Sequence, residues 1–173
     1  MKAIKFFAIA ILFSGVSVMA SAQNTATQSA TASAKIVAPI TLEKITDLRF
    51  GTIATSNASG TVLVGTTAGA TATASDGATM VASSVVNTGP AVFTITGESD
   101  QKFSLNVKTG DVITLSNGSK TMDVILNIPD FTAINNALTG GTKTLIIGGS
   151  LAVGVNQESG AYSKTFNVTV AYE

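Results

Sequence analysis

Residues 30–42 carry a row of apolar side chains on the even positions, Ala30, Ala32, Ala34, Ile36, Ala38, Ile40 and Leu42. The odd positions hold Thr31, Ser33, Lys35, Val37, Pro39 and Thr41. A period of two marks a strand with one buried face, so this row predicts a long first strand, small-faced at its start and large-faced at its end. Pro39 lacks a backbone N–H and puts that strand at an edge or a bulge. Further short apolar runs follow at 48–53, 61–64, 79–86, 92–96, 103–107, 112–115, 122–128, 144–155 and 162–172. In the last of these, Phe166, Val168, Val170 and Tyr172 share one face. No window longer than about ten residues sustains a 3.6-residue apolar period with caps, which limits helix to a turn near residues 134–138.

The residues between the runs set how the strands connect. Asn117-Gly118 predicts a hairpin joining 112–115 to 122–126 through a type I′ turn, whose two central residues need positive φ. Gly148-Gly149 splits an apolar run and predicts a bulge or a tight turn, and Gly51 after Phe50 a bulge or bend. Residues 156–160, ending in Gly160, predict a second hairpin into the last strand; the Thr/Ser/Ala-rich stretch 65–79 reads as a loop or weak edge strand. About nine short strands at this spacing predict an all-β, antiparallel, immunoglobulin-like β-sandwich.

The first residues have a different origin. Lys2 and Lys5 precede an apolar stretch at 6–18, and Ala20-Ser21-Ala22 has the small-x-small pattern that signal peptidase reads. The predicted organisation is a signal peptide at 1–22, a flexible Thr/Ser/Ala-rich extension at 23–34 and a single sandwich domain at 35–173. The expected destination is the periplasm, the cell surface or the extracellular medium, with no integral membrane span in the mature chain. Beyond residue 22 there are eight basic and ten acidic residues, a net charge of −2, so no nucleic-acid partner is expected.

Composition then narrows the chemistry. The chain has no His and no Cys, which removes the Ser-His-Asp triad, thiol nucleophiles and imidazole or thiolate zinc sites. Ser99-Asp100-Gln101-Lys102 and Lys108-Thr109-Gly110 match fragments of the penicillin-recognising signature, but they border one short strand instead of facing each other from a helix and a separate strand. Glu98 and Asp100 read as a solvated acidic turn. Tyr162, two residues after Gly160, reads as a structural tyrosine whose hydroxyl bonds nearby backbone. No catalytic residue, cofactor or metal is expected.

Three stretches together carry a resemblance: residues 34–42 followed by Leu48-Arg49-Phe50-Gly51-Thr52-Ile53, the run 144–153, and the ending from Gly160 to Tyr172. They resemble a bacterial secreted family known as domain of unknown function 4402. The ending also resembles the G-x-Y-x-x-T-x-x-V-T-V-x-Y strand of spore coat protein U domains and archaic chaperone-usher pilins. Those pilins usually carry a disulfide, which this chain cannot form. The resemblance implies a pilin-like fold, a non-enzymatic surface or fimbrial subunit, and like subunits or a periplasmic chaperone and usher as partners. It makes Ala30, Ala32, Ala34, Ile36, Ala38, Ile40 and Leu42 the candidate strand-exchange segment. The alternatives are a self-complete periplasmic or secreted module that binds a glycan or protein, and, third, a small outer-membrane β-barrel.

Overall fold

A computed structural model describes residues 25–82, 88–128, 131 and 136–173, and its compact unit is Ile36–Glu173. The strands are β1 (Thr41–Thr46), β2 (Thr52–Val64), β3 (Ala72–Val81), β4 (Ala91–Thr96), β5 (Phe103–Leu105), β6 (Val112–Ser116), β7 (Thr121–Asn127), β8 (Thr142–Val153) and β9 (Val170–Tyr172). Among the described residues, the only helical element is a 3₁₀ turn at Thr139–Gly141. The fold is all-β and antiparallel, sandwich-like, with nine strands.

β8 organises the molecule. Its first half, Thr142 to Ile147, pairs with β4, and β4 pairs in turn with β1. Its second half is flanked by β2 on one edge and β7 on the other, and these carry β3 and β6. Leu145, Ile147, Leu151 and Val153 of β8 are buried on one face, together with Val62 and Val64 of β2, Phe93 and Ile95 of β4, and Val124 and Leu126 of β7. Each of these large side chains contributes about 1.5–3 kcal/mol by leaving water, and they form one continuous core. The strand path ends in β1 and β3, so the sheet does not close on itself.

Gly148-Gly149 is neither a turn nor a chain reversal, because β8 runs through it unbroken. A Cβ on Gly148 would strike the Val64 carbonyl, and one on Gly149 would sit 3.0 Å from Val124 Cγ1. The pair therefore lets β8 pass tightly against β2 and β7 where its partners change.

Four other expectations are corrected. The first strand begins at Thr41: residues 25–40 form no ladder, Ile36 is 95% exposed, and it is Val37, of the opposite parity, that is half-buried. With Pro39 unable to donate, Ile40 and Leu42 pack on the molecule's own core, while Ala30 to Ala34 stay exposed. The runs at 48–53 and 61–64 contribute to a single strand, β2; the 65–79 stretch, by contrast, is in part the edge strand it was expected to be, supplying most of β3. The Asn117-Gly118 hairpin is present, but the connection is four residues long and only Gly118 has positive φ. Asn117 instead accepts hydrogen bonds from the N–H groups of Ser119 (3.0 Å) and Lys120 (2.8 Å), which fixes the loop without a type I′ turn. Residues 156–160 do not return the chain beside β8; the segment after them pairs with β5 and β6. Residues 134 and 135 of the expected helical turn, and 83–86 of the run 79–86, lie outside the described residues.

Candidate functional site

The final segment runs alongside residues 102–116 but joins them only at intervals. Ser163 exchanges two hydrogen bonds with Ser116, both 3.1 Å. Asn106 acts as a backbone surrogate: its Nδ2 donates to Asn167 O, its Oδ1 accepts from Thr169 N, and its own N–H donates to Thr169 O. β9 then pairs with β5, and Glu173 N–H donates to Lys102 O. All these bonds point to one edge. Lys164, Phe166 and Val168, on the alternate parity, have main-chain groups that bond to no described residue. Antiparallel geometry turns those groups toward the opposite edge.

That opposite edge borders a groove of about 780 Å³. One wall is Leu48 to Thr55, the stretch leading into β2; the other is Ser159 to Phe166. Half-buried Ile113 and Leu115 of β6 and Met122 of β7 line its floor, over Val124, Leu151 and Val153, which are already buried in the core. On the first wall Arg49 pairs with Gly89 through both its N–H and its carbonyl, while the main chains of Leu48 and Phe50 bond to no described residue. The groove therefore has an apolar floor, and on each wall main chains that bond to no described residue, Leu48 and Phe50 on one and Lys164 and Phe166 on the other.

Phe50 is a core residue and part of this wall. Gly51 has φ of 80°, and a Cβ there would come within 2.6 Å of Thr88 Cγ2, so glycine is required where the wall turns into β2. Tyr162 closes one end of the groove. Its hydroxyl donates to Glu158 O at 2.8 Å and accepts from Gln157 Nε2 at 2.9 Å. Gln157 also donates to Thr121 O and accepts from Gly154 N–H, joining the start of β7 to the turn after β8. Gln157 carries no sequence signal, since a polar residue in an expected hairpin loop is ordinary. Gly160 lies against Asn117, where a Cβ would sit 2.9 Å from its Nδ2.

At the opposite end of the last segment, Tyr172 forms a clasp. Its hydroxyl donates to Ala38 O at 2.8 Å and accepts from Glu98 N–H at 2.7 Å, while Glu98 Oε2 accepts from Ala38 N–H at 3.2 Å. The candidate strand-exchange segment is thus divided. Ala38, Ile40 and Leu42 belong to their own domain, and Ala30, Ala32, Ala34 and Ile36 are exposed.

The acidic turn has structural partners. Glu98 serves the clasp and Asp100 accepts from Ser99 Oγ, and among the described residues no three His, Cys, Asp or Glu are grouped to hold a metal. Thr109 accepts from Ile128 N–H at 2.7 Å. Beside the groove wall, the Lys44 ammonium, 2.8 Å away and hydrogen-bonded, holds the Asp47 carboxyl below the usual carboxylate range, with a smaller contribution from Arg49. Among the described residues no helix is long and apolar enough to cross a membrane.

The groove, its walls and the clasp fall almost wholly within one matched region, residues 40–172, which fits the model of Domain of unknown function (DUF4402). The chain belongs to this family. No curated protein and no solved structure matches it. The DUF4402 region takes in β1 to β9 and ends at Tyr172, so it contains the groove and the Tyr172 side of the clasp; Ala38 and the exposed Ala30 to Ile36 precede it.

Proposed function

We propose that this DUF4402 protein is an exported, non-enzymatic structural protein, a pilin-like surface or fimbrial subunit whose sandwich is completed by a strand from outside its own fold. The observation that carries the reading is the groove: an apolar floor between two walls in which the main chains of Leu48, Phe50, Lys164 and Phe166 bond to no described residue. Strand addition supplies both needs at once, since main-chain hydrogen bonds give affinity and alternate side chains fill the floor. Export follows from the signal-like residues 1–22, and a periplasmic chaperone would cover the groove before assembly.

The groove's volume also falls in the range of small-ligand sites, which favours a self-complete binding module as the second reading. Electrophoresis of native surface and periplasmic fractions, unheated and boiled, separates the two. Strand-exchanged subunits give a ladder that collapses on boiling. A single monomer band in every fraction rules out the structural role and leaves the binding module.

A further inference from the structure

We infer that Lys164 selects the strand that completes the groove, and that this strand belongs to a different protein and carries an aspartate or glutamate on its inward face. This rests on the strand-completion reading and adds the chemistry of the partner. Alternation puts Lys164 on the face of Tyr162 and Phe166, and all three line the groove. It is the one charged residue on that parity between Tyr162 and Tyr172. Among the described residues its ammonium makes no hydrogen bond and no ion pair. On the facing wall the Arg49 side chain is 47% exposed, and its guanidinium comes no closer than 3.6 Å to Asp47, whose carboxylate Lys44 holds at 2.8 Å.

The groove is electrically polarised. Its walls meet where the Asn156 N–H donates to Ser56 O at 2.9 Å and the Thr55 hydroxyl donates to Gln157 O at 3.5 Å, and both Arg49 and Lys164 stand away from that junction. Glu158, whose carboxylate accepts from Ser119 Oγ at 3.2 Å, stands beside it. A strand laid over Lys164 takes water from the ammonium, and a facing carboxylate offsets that cost with a charge-assisted hydrogen bond. Glu158 repels a second carboxylate at the junction, so the place of the acid along the strand is set by the groove. An inward charge on an edge also turns away strands that leave it unpaired. Residues 23–42 of this chain hold no Asp or Glu and one base, Lys35, so a like copy's extension brings no partner for Lys164.

The exported full-length chain, purified as the monomer, is titrated with short alternating Thr-Val peptides whose central Val is replaced by Glu, Gln or Lys, and binding is followed by NMR at the Lys164 and Phe166 amides. The Glu peptide should bind about three- to tenfold more tightly than the Gln peptide, and the Lys peptide more weakly than either. Lys164→Glu should reverse the order in favour of the Lys peptide, and Lys164→Met should bring the Glu and Gln peptides level. Lys108→Glu, outside the groove, should leave the original order in place. Equal affinities for the unsubstituted chain, or an order that Lys164→Glu does not change, would overturn the inference and leave strand completion by an uncharged donor. A peptide of residues 28–36 that binds as tightly as the Glu peptide would overturn it in favour of a like copy. Absence of binding by every peptide at these amides would defeat the strand-completion reading beneath it.

Discussion

Replacing Tyr172 by Phe removes one oxygen and two hydrogen bonds, to Ala38 O and from Glu98 N–H. At about 0.5–1.5 kcal/mol each, the expected loss is about 1–3 kcal/mol, toward the upper end if the half-buried Glu98 amide gains no water. A second substitution tests the geometry itself. A Cβ at Gly97 would strike the Tyr172 hydroxyl and lie 2.9 Å from Leu138 Cδ1, so Gly97→Ala should cost about 1–3 kcal/mol by overpacking. In the Tyr172→Phe background the first of these clashes is gone. The double variant should therefore be less destabilised than the sum of the singles, by at least about 0.5–1 kcal/mol. Urea unfolding of the four chains, with equal m-values, measures this coupling. Additivity within about 0.3 kcal/mol would refute the clasp.

Leu151, buried at the junction of core and groove floor, should cost about 2–5 kcal/mol as Ala, read as a lower unfolding midpoint. Asn117→Ala removes the acceptor for two loop N–H groups and should cost about 1 kcal/mol, whereas no change would mean the loop is held by other contacts. Lys44→Met should raise the Asp47 titration midpoint toward the ordinary carboxylate value in a carboxyl-detected NMR titration. Because the folded carboxyl lies below its unfolded value, its stabilising effect is present above the unfolded value and is lost as pH falls through the folded one. An unmoved midpoint would contradict the ion pair.

The strands were legible where alternation and partners agreed. In the last segment Phe166, Val168, Val170 and Tyr172 share the half-buried parity that their spacing predicts, packed against the core. The first strand misled because seven residues of clean even parity say nothing about whether a neighbouring strand exists. Residues 30–36 lack one within their own fold, and the clasp starts only at Ala38. Gly148-Gly149 was visible as punctuation, yet its role as a passage between partners depends on Val64 and Val124, more than 20 residues away in sequence. Tyr162 was marked by its place after Gly160, but Gln157, which ties it to β7, had no distinguishing context. The groove was the least legible feature, since its two walls, residues 48–55 and 159–166, lie far apart in sequence and meet only in the fold.

The most direct test of the account is amide hydrogen exchange of Lys164, Phe166 and Val168 in the isolated chain and in assembled material. Rapid exchange in the isolated chain and protection on assembly are expected, because these groups face an open edge until a strand is added. Protection of all three in the isolated chain would show that the edge is already satisfied, and would contradict the claim that the sandwich is incomplete.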